Sequence, residues 1–199
     1  MAKFFPISIN SENRKVLIIG GGKSALIKLR TLLKSELFIE MVSMDFLDEI
    51  YKIKEENPGR IRLIQREISK DFDCFTCDFL ILAIGDSKIS TSLKKICKEK
   101  KILFLDTSNP LLSDFILNKT MVKNDIVFSV SSNGKAPSLS KYLAEEFENF
   151  IEDKDMDQIE LLMKLRNKLK NKKSPLVSEI MKEAYLWDKE KLRSYIENI

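Results

Sequence analysis

Three adjacent glycines, Gly20, Gly21 and Gly22, followed by Lys23, Ser24 and Ala25, are the residues of this 199-residue chain best suited to hold a phosphate. The five residues before them, Lys15-Val-Leu-Ile-Ile19, are β-prone, and those after them have helical periodicity. Gly20 suits a tight turn out of a strand, and Gly22 omits a Cβ where a pyrophosphate would approach the backbone. Ala25, standing in for a third glycine, still lets a helix pack close to the strand. The first turn of that helix offers unpaired N–H groups and the positive end of its dipole. The chemistry implied is dinucleotide binding, although a glycine turn also serves as a plain strand-to-helix connection.

Histidine is absent from the sequence. Proton transfer must therefore fall to Asp, Glu, Lys, Tyr, Cys, substrate or water, and Ser-His-Asp triads and His-based metal sites are excluded. The three cysteines, Cys74, Cys77 and Cys97, make no even disulfide set. Cys74 and Cys77 have C-x-x-C spacing, but neither a second pair nor a histidine completes a zinc shell. They also precede a strand instead of opening a helix, which favours a structural role, and no metal site is expected.

The elements that must position these groups follow an alternating pattern. A helix is predicted over 24–35, with Ala25, Leu26, Leu29, Leu32 and Leu33 on one face. Strands are predicted at 39–43, 61–66, 79–84 and 102–105, with helices at 46–56 and 89–100 between them. The run 79–84 is apolar throughout, as a strand buried on both faces of a parallel sheet requires. This is an α/β chain of Rossmann type, whose ligands lie beyond the carboxyl ends of the strands. In such a sheet an acid at the end of the second strand meets the ribose hydroxyls, which makes Ser43 and Asp45 candidates. No arginine lies in that stretch to meet a 2′-phosphate, so NAD is expected over NADP.

After residue 114 the pattern changes. A strand at 125–130 leads into the polar loop 131–137, and a helix follows whose Leu139, Leu143, Phe147, Phe150 and Ile151 share a face. Beyond a charged break at 153–157, two or three short helices are expected, one starting at Ser174-Pro175 with Leu176, Ile180, Met181, Ala184 and Trp187 as its apolar stripe. The basic segment 164–173 winds around a helix and reads as solvated surface. Net charge is +4, from 34 basic and 30 acidic residues, so no nucleic-acid partner is implied. No apolar run approaches the ~20 residues of a membrane span, and the first residues lack the apolar stretch of a secretory signal. A cytoplasmic location is expected, and no membrane partner.

Four segments together resemble one family, the precorrin-2 dehydrogenases or siroheme synthase N-terminal domains, some of which double as sirohydrochlorin ferrochelatases. They are Phe5-Pro-Ile-Ser-Ile9 with Arg14 to Gly22 and Lys28; Phe79 to Asp86; Asn109-Pro-Leu-Leu-Ser-Asp-Phe115; and Ser131 to Ser140. The resemblance implies NAD-dependent oxidation of precorrin-2 to sirohydrochlorin by a homodimer. It implies an arrangement of a Rossmann domain over 1–115, a dimerisation and substrate segment over 116–151, and a helical C-terminal domain over 152–199. Gly85 and Asp86 join the cofactor group on the same basis, and Ser131, Asn133, Gly134 and Lys135 face a carboxylate-rich substrate. The family carries an aspartate just after the fifth strand where this chain has Ser108. Asp106, two residues earlier, would share a face with it in extended backbone. Asp106 and Ser108 are therefore the catalytic candidates, with Asp114 ordering the turn or serving the site. A sirohydrochlorin metal chelatase, and a non-catalytic protein that binds nucleotide and tetrapyrrole, are the alternative readings.

Overall fold

The computed structural model describes residues 2–69, 72, 76–152 and 154–199. Five strands form one parallel sheet: β1 (Lys15–Ile19), β2 (Phe38–Ser43), β3 (Ile61–Gln65), β4 (Phe79–Leu82) and β5 (Leu103–Asp106). Their spatial order is β3-β2-β1-β4-β5. The strand order reverses between β1 and β4, and that switch point opens a crevice at the carboxyl edge. Cys74 lies outside the described residues.

Alternate residues of each strand belong to opposite cores, as a period of two demands. On one face Val16, Ile18, Ile39, Met41, Ile81 and Leu105 pack with Ala25, Leu26, Leu29 and Leu32 of α1 (Lys23–Leu32) and Ile50 of α2 (Asp48–Glu56). On the other, Leu17, Ile19, Val42, Leu80, Leu82 and Phe104 pack with Leu93 and Cys97 of α3 (Ser87–Lys100). Burial of each such Leu or Ile contributes about 1.5–3 kcal/mol. The apolar run at 79–84 is thereby explained, since residues 80 to 82 are fully enclosed from both sides.

Element ends depart from the sequence reading for local reasons. Helix α1 stops at Leu32 because the Ser35 hydroxyl donates to the Leu32 carbonyl at 2.6 Å. Helix α2 starts at Asp48, two residues late, because the Leu47 amide donates to the Gly21 carbonyl. Helix α3 starts two residues early, at Ser87, because Asp86 caps it. It ends on Lys101, in the left-handed conformation at φ +58°.

A strand that was not foreseen, β6 (Lys119–Lys123), pairs antiparallel with β7 (Ile126–Val130) through a two-residue turn with Asn124 at φ +50°. Helix α4 (Pro137–Glu152) follows, with Ala144 and Ile151 buried and Leu139, Tyr142, Leu143, Phe147 and Phe150 exposed.

By compactness the chain divides into residues 1–145 and 146–199. In the second unit α5 (Met156–Asn171), α6 (Val177–Ala184) and α7 (Lys189–Asn198) enclose Leu162, Leu165, Leu169, Met181, Ala184 and Leu192. Asp155 caps α5 by accepting from the Gln158 amide, and the Trp187 and Tyr195 rings meet edge-on at 4.9 Å. The Ser174 hydroxyl accepts from the Leu176 amide, so α6 begins only at Val177. Leu176, placed by the sequence on an apolar stripe with Met181, is instead half exposed at the turn before the helix. Among the described residues no helix is long and apolar enough to cross a membrane.

Candidate dinucleotide and substrate site

The three glycines do three different jobs. Gly20 sits at φ +125°, and a Cβ there would lie 2.3 Å from the Ala83 carbonyl oxygen, so the strand end closes against the loop after β4. A Cβ on Gly21 would lie 1.9 Å from the Asp45 carbonyl oxygen, which ties the turn to the loop after β2. Sequence reading put Gly21 in the cofactor group and did not foresee its contact with Asp45, because that constraint comes from a segment 24 residues away. Gly22 is the N-cap of α1, has no side-chain cap, and has nothing within 4 Å of where its Cβ would be. That open position at the N-cap leaves the first turn of α1, Lys23, Ser24 and Ala25, approachable by an anion. Ala25 is fully buried against the sheet, as its small side chain anticipates. Lys28 lies part-buried on the same helix, and burial lowers its pKa.

At the end of β2, Ser43 is half-buried and Asp45 exposed. It is the backbone of Asp45, not its carboxylate, that the glycine turn touches. The structure also brings up an arginine that a linear reading of 43–45 could not find. The Arg66 amide donates to the Ser43 carbonyl at 3.0 Å, and its guanidinium lies over the Phe72 ring.

Across the switch point, the turns after β4 and β5 meet. Gly85 is exposed with open space around its Cα. Asp86 accepts from the Lys88 and Ile89 amides at 2.8 and 3.0 Å, so its carboxylate caps α3 at the rim of the crevice. The exposed Ser108 donates its hydroxyl to the Ile84 carbonyl at 3.3 Å, bridging the two turns. Asp106 is only 3% exposed. Its Oδ2 accepts from Lys94 Nζ at 2.7 Å, its Oδ1 from the Ser108 and Asn109 amides at 2.9 and 3.3 Å, and its own amide donates to Ser113 Oγ. Burial raises the Asp106 pKa, but the hydrogen bonds from Lys94 and the Ser108 amide outweigh it and hold the carboxyl below its usual range. The carboxylate is thus ionised and engaged within the protein, and Ser108 is the group that faces solvent. Asp114 accepts from the Phe104 amide through Oδ2 and donates its own amide to the Phe104 carbonyl, ordering the turn.

The loop 131–136 closes this side. Asn133 and Gly134 are both left-handed, at φ +55° and +76°, and a Cβ added to Gly134 would lie 4.0 Å from Pro110 Cβ. The Asn133 Oδ1 accepts from the Phe4 amide, and Lys3 donates to the Leu111 carbonyl. Ser131 Oγ accepts from the Asn133 amide, while the Lys135 side chain is exposed. Ser132, not singled out in sequence, is the loop's organiser: its hydroxyl oxygen accepts from the Ala136 amide and the Ser140 hydroxyl, both at 3.0 Å. Three segments far apart in sequence, at 3–4, 108–111 and 131–136, therefore converge next to the switch point.

The remaining nucleophiles lie elsewhere. Burial pushes the Cys97 thiol up to about 12 and that of Cys77 up to about 11, and Cys97 is wholly enclosed in the core. Thiols so protonated are inert at neutral pH.

Fold and site together define a doubly wound dinucleotide-binding protein with a second loop cluster facing its cofactor crevice. The chain belongs to the NAD(P)-binding family NAD_binding_7, whose model matches residues 7–119, and a nicotinamide dinucleotide is its cofactor. The precorrin-2 dehydrogenase of Bacillus subtilis (strain 168) is 28% identical over 163 residues, covering 82% of this chain and 98% of that protein. The siroheme synthase of Pseudoalteromonas atlantica is 25% identical over 186 residues, 94% of this chain but 39% of the relative. The chain spans about two fifths of that longer protein. Among solved structures, SirC, a precorrin-2 dehydrogenase, matches in fold with a TM-score of 0.73 over 98% of this chain and 100% of that one, at 19% identity.

Proposed function

We propose that this protein oxidises precorrin-2 to sirohydrochlorin, with NAD as the hydride acceptor, in siroheme or cobalamin biosynthesis. The observation that carries this reading is the convergence of residues 3–4, the 108–111 turn and the 131–136 loop beside the turn that follows β4. A plain nucleotide-binding domain has no use for such a second wall. The name of the Bacillus relative, which extends over nearly the whole of both chains, supports the choice of substrate.

Gly22 and the amides of Lys23, Ser24 and Ala25 hold the pyrophosphate, with Ser43 and Asp45 toward the adenosine ribose and Gly85 and Asp86 at the nicotinamide end. Bound there, NAD accepts one hydride and leaves one proton to be released with the oxidised tetrapyrrole. Ser131, Asn133, Gly134 and Lys135 present hydroxyl, amide and ammonium donors to the substrate carboxylates. The Ser108 hydroxyl relays the released proton toward solvent, and Asp106 acts through it by fixing its backbone. NAD is favoured over NADP because the exposed Asp45 offers a carboxylate to the ribose hydroxyls, while the Arg66 guanidinium is stacked on the Phe72 ring.

The protein works as a homodimer in the cytoplasm. Leu139, Tyr142 and Leu143 on α4, and Val122 and Val127 on the hairpin, are exposed apolar side chains of the kind that marks an interface. A second copy of the chain covers them.

Purified protein given NAD and precorrin-2 is expected to produce NADH, read by its absorbance, in step with the sirohydrochlorin spectrum. Absence of both above the uncatalysed background overturns the assignment.

A further inference from the structure

Lys94 belongs to none of the four segments, yet it forms an ion pair at the site. Its ammonium lies 2.7 Å from Asp106 Oδ2, with 21% of the Lys94 side chain and 4% of the Asp106 side chain exposed. Two long-range partners meet here, one from the middle of α3 and one from the last residue of β5. The other carboxylate oxygen gathers the Ser108 and Asn109 amides, so the turn bearing the exposed serine hangs from one buried group. Among the described residues Lys94 is the charge that this carboxylate contacts; Ser108, Asn109 and Ser113 are neutral.

We infer that Lys94 is a positioning residue of this site, holding the Ser108 hydroxyl at the crevice through Asp106. The inference rests on the dehydrogenase reading for its catalytic consequence but not for its structural one. A carboxylate that is nearly enclosed keeps its charge only beside an opposite charge. With the ammonium removed, Asp106 takes up a proton, accepts more weakly from the two amides, and the turn loosens. Its neighbour Lys95 is exposed and serves as the control.

The test compares Lys94→Met, Lys94→Arg and Lys95→Met in the full chain. Amide exchange at Ser108 and Asn109, followed by NMR, is expected to quicken more than tenfold in Lys94→Met. It should return to within about threefold of the parent in Lys94→Arg and stay unchanged in Lys95→Met. The rate of NADH formation should fall about tenfold or more in Lys94→Met at neutral pH, recover as pH rises and Asp106 ionises again, and leave the KM for NAD unaltered. In the parent protein, which needs no variant to fold, the Ser108 and Asn109 amide signals should stay constant between pH 7 and pH 5. Unchanged exchange in Lys94→Met, or amide signals that titrate between pH 7 and pH 5 in the parent, overturns the inference. Failure of the parent to make any NADH overturns the dehydrogenase reading instead, and leaves the exchange measurements standing.

Discussion

Helices α1 and α4 have the same kind of apolar stripe and opposite fates. In α1, Ala25, Leu26, Leu29 and Leu32 are sealed against the parallel sheet. In α4, Leu139, Tyr142, Leu143 and Phe150 are 38–58% exposed, although Ala144 and Ile151 of the same helix are buried. Hydrophobic periodicity states that a helix face will be covered, but not by which body. The strand before α1 and the strands beside it are in the chain and adjacent in space. The exposed part of α4 is where the proposed dimer would form.

The largest expected effect breaks the enclosed member of the pair. Leu29→Ala empties a site with no exposure and should cost about 2–5 kcal/mol, seen as a lowered midpoint in urea. The matching change on the open member, Leu143→Asp, should leave the fold standing and weaken self-association by about 2 kcal/mol or more, measured by sedimentation. If Leu143→Asp unfolds the protein, or the parent sediments as a monomer, α4 has another partner.

The contrast recurs within one turn. Gly21→Ala forces a methyl into the Asp45 carbonyl and should destabilise by about 1–3 kcal/mol. Gly22→Ala meets open space, so stability should hold while NAD binding weakens about tenfold, measured by calorimetry. A smaller, pH-dependent effect belongs to Asp106. Its folded pKa lies below the unfolded value, so it stabilises the protein above the unfolded value and loses this as pH falls through the folded one. Asp106→Asn should flatten that acid limb, checked by urea unfolding at pH 7 and pH 3. Smallest of all, Leu176→Ser at a half-exposed turn should change stability by no more than about 0.5 kcal/mol.

Legibility in the sequence followed range of interaction. The glycine turn, the helical stripe of α1 and the apolar β4 are local patterns, and all were readable to within a few residues. Hairpin strand β6 was missed because Lys119-Thr-Met-Val-Lys is too short and too charged to show a period without its partner. Arg66 was missed as a neighbour of Ser43 because only parallel pairing of β2 with β3 brings them together. Gly21 and Ser132 carry constraints from Asp45 and Ser140 that have no signature in their own neighbourhoods.

Sequence by itself determined the doubly wound class, the glycine turn that opens α1 and the absence of histidine, since these depend on residue type and on spacing within one turn or strand. Tertiary structure alone decided which carboxylate is enclosed, that Lys94 pairs with it, and that residues 3–4, 108–111 and 131–136 share one wall. The reason is physical: a backbone dihedral or a helix dipole is a property of neighbours along the chain. Desolvation of Asp106, and its compensation by a charge twelve residues away, exist only once the sheet and α3 have closed over them.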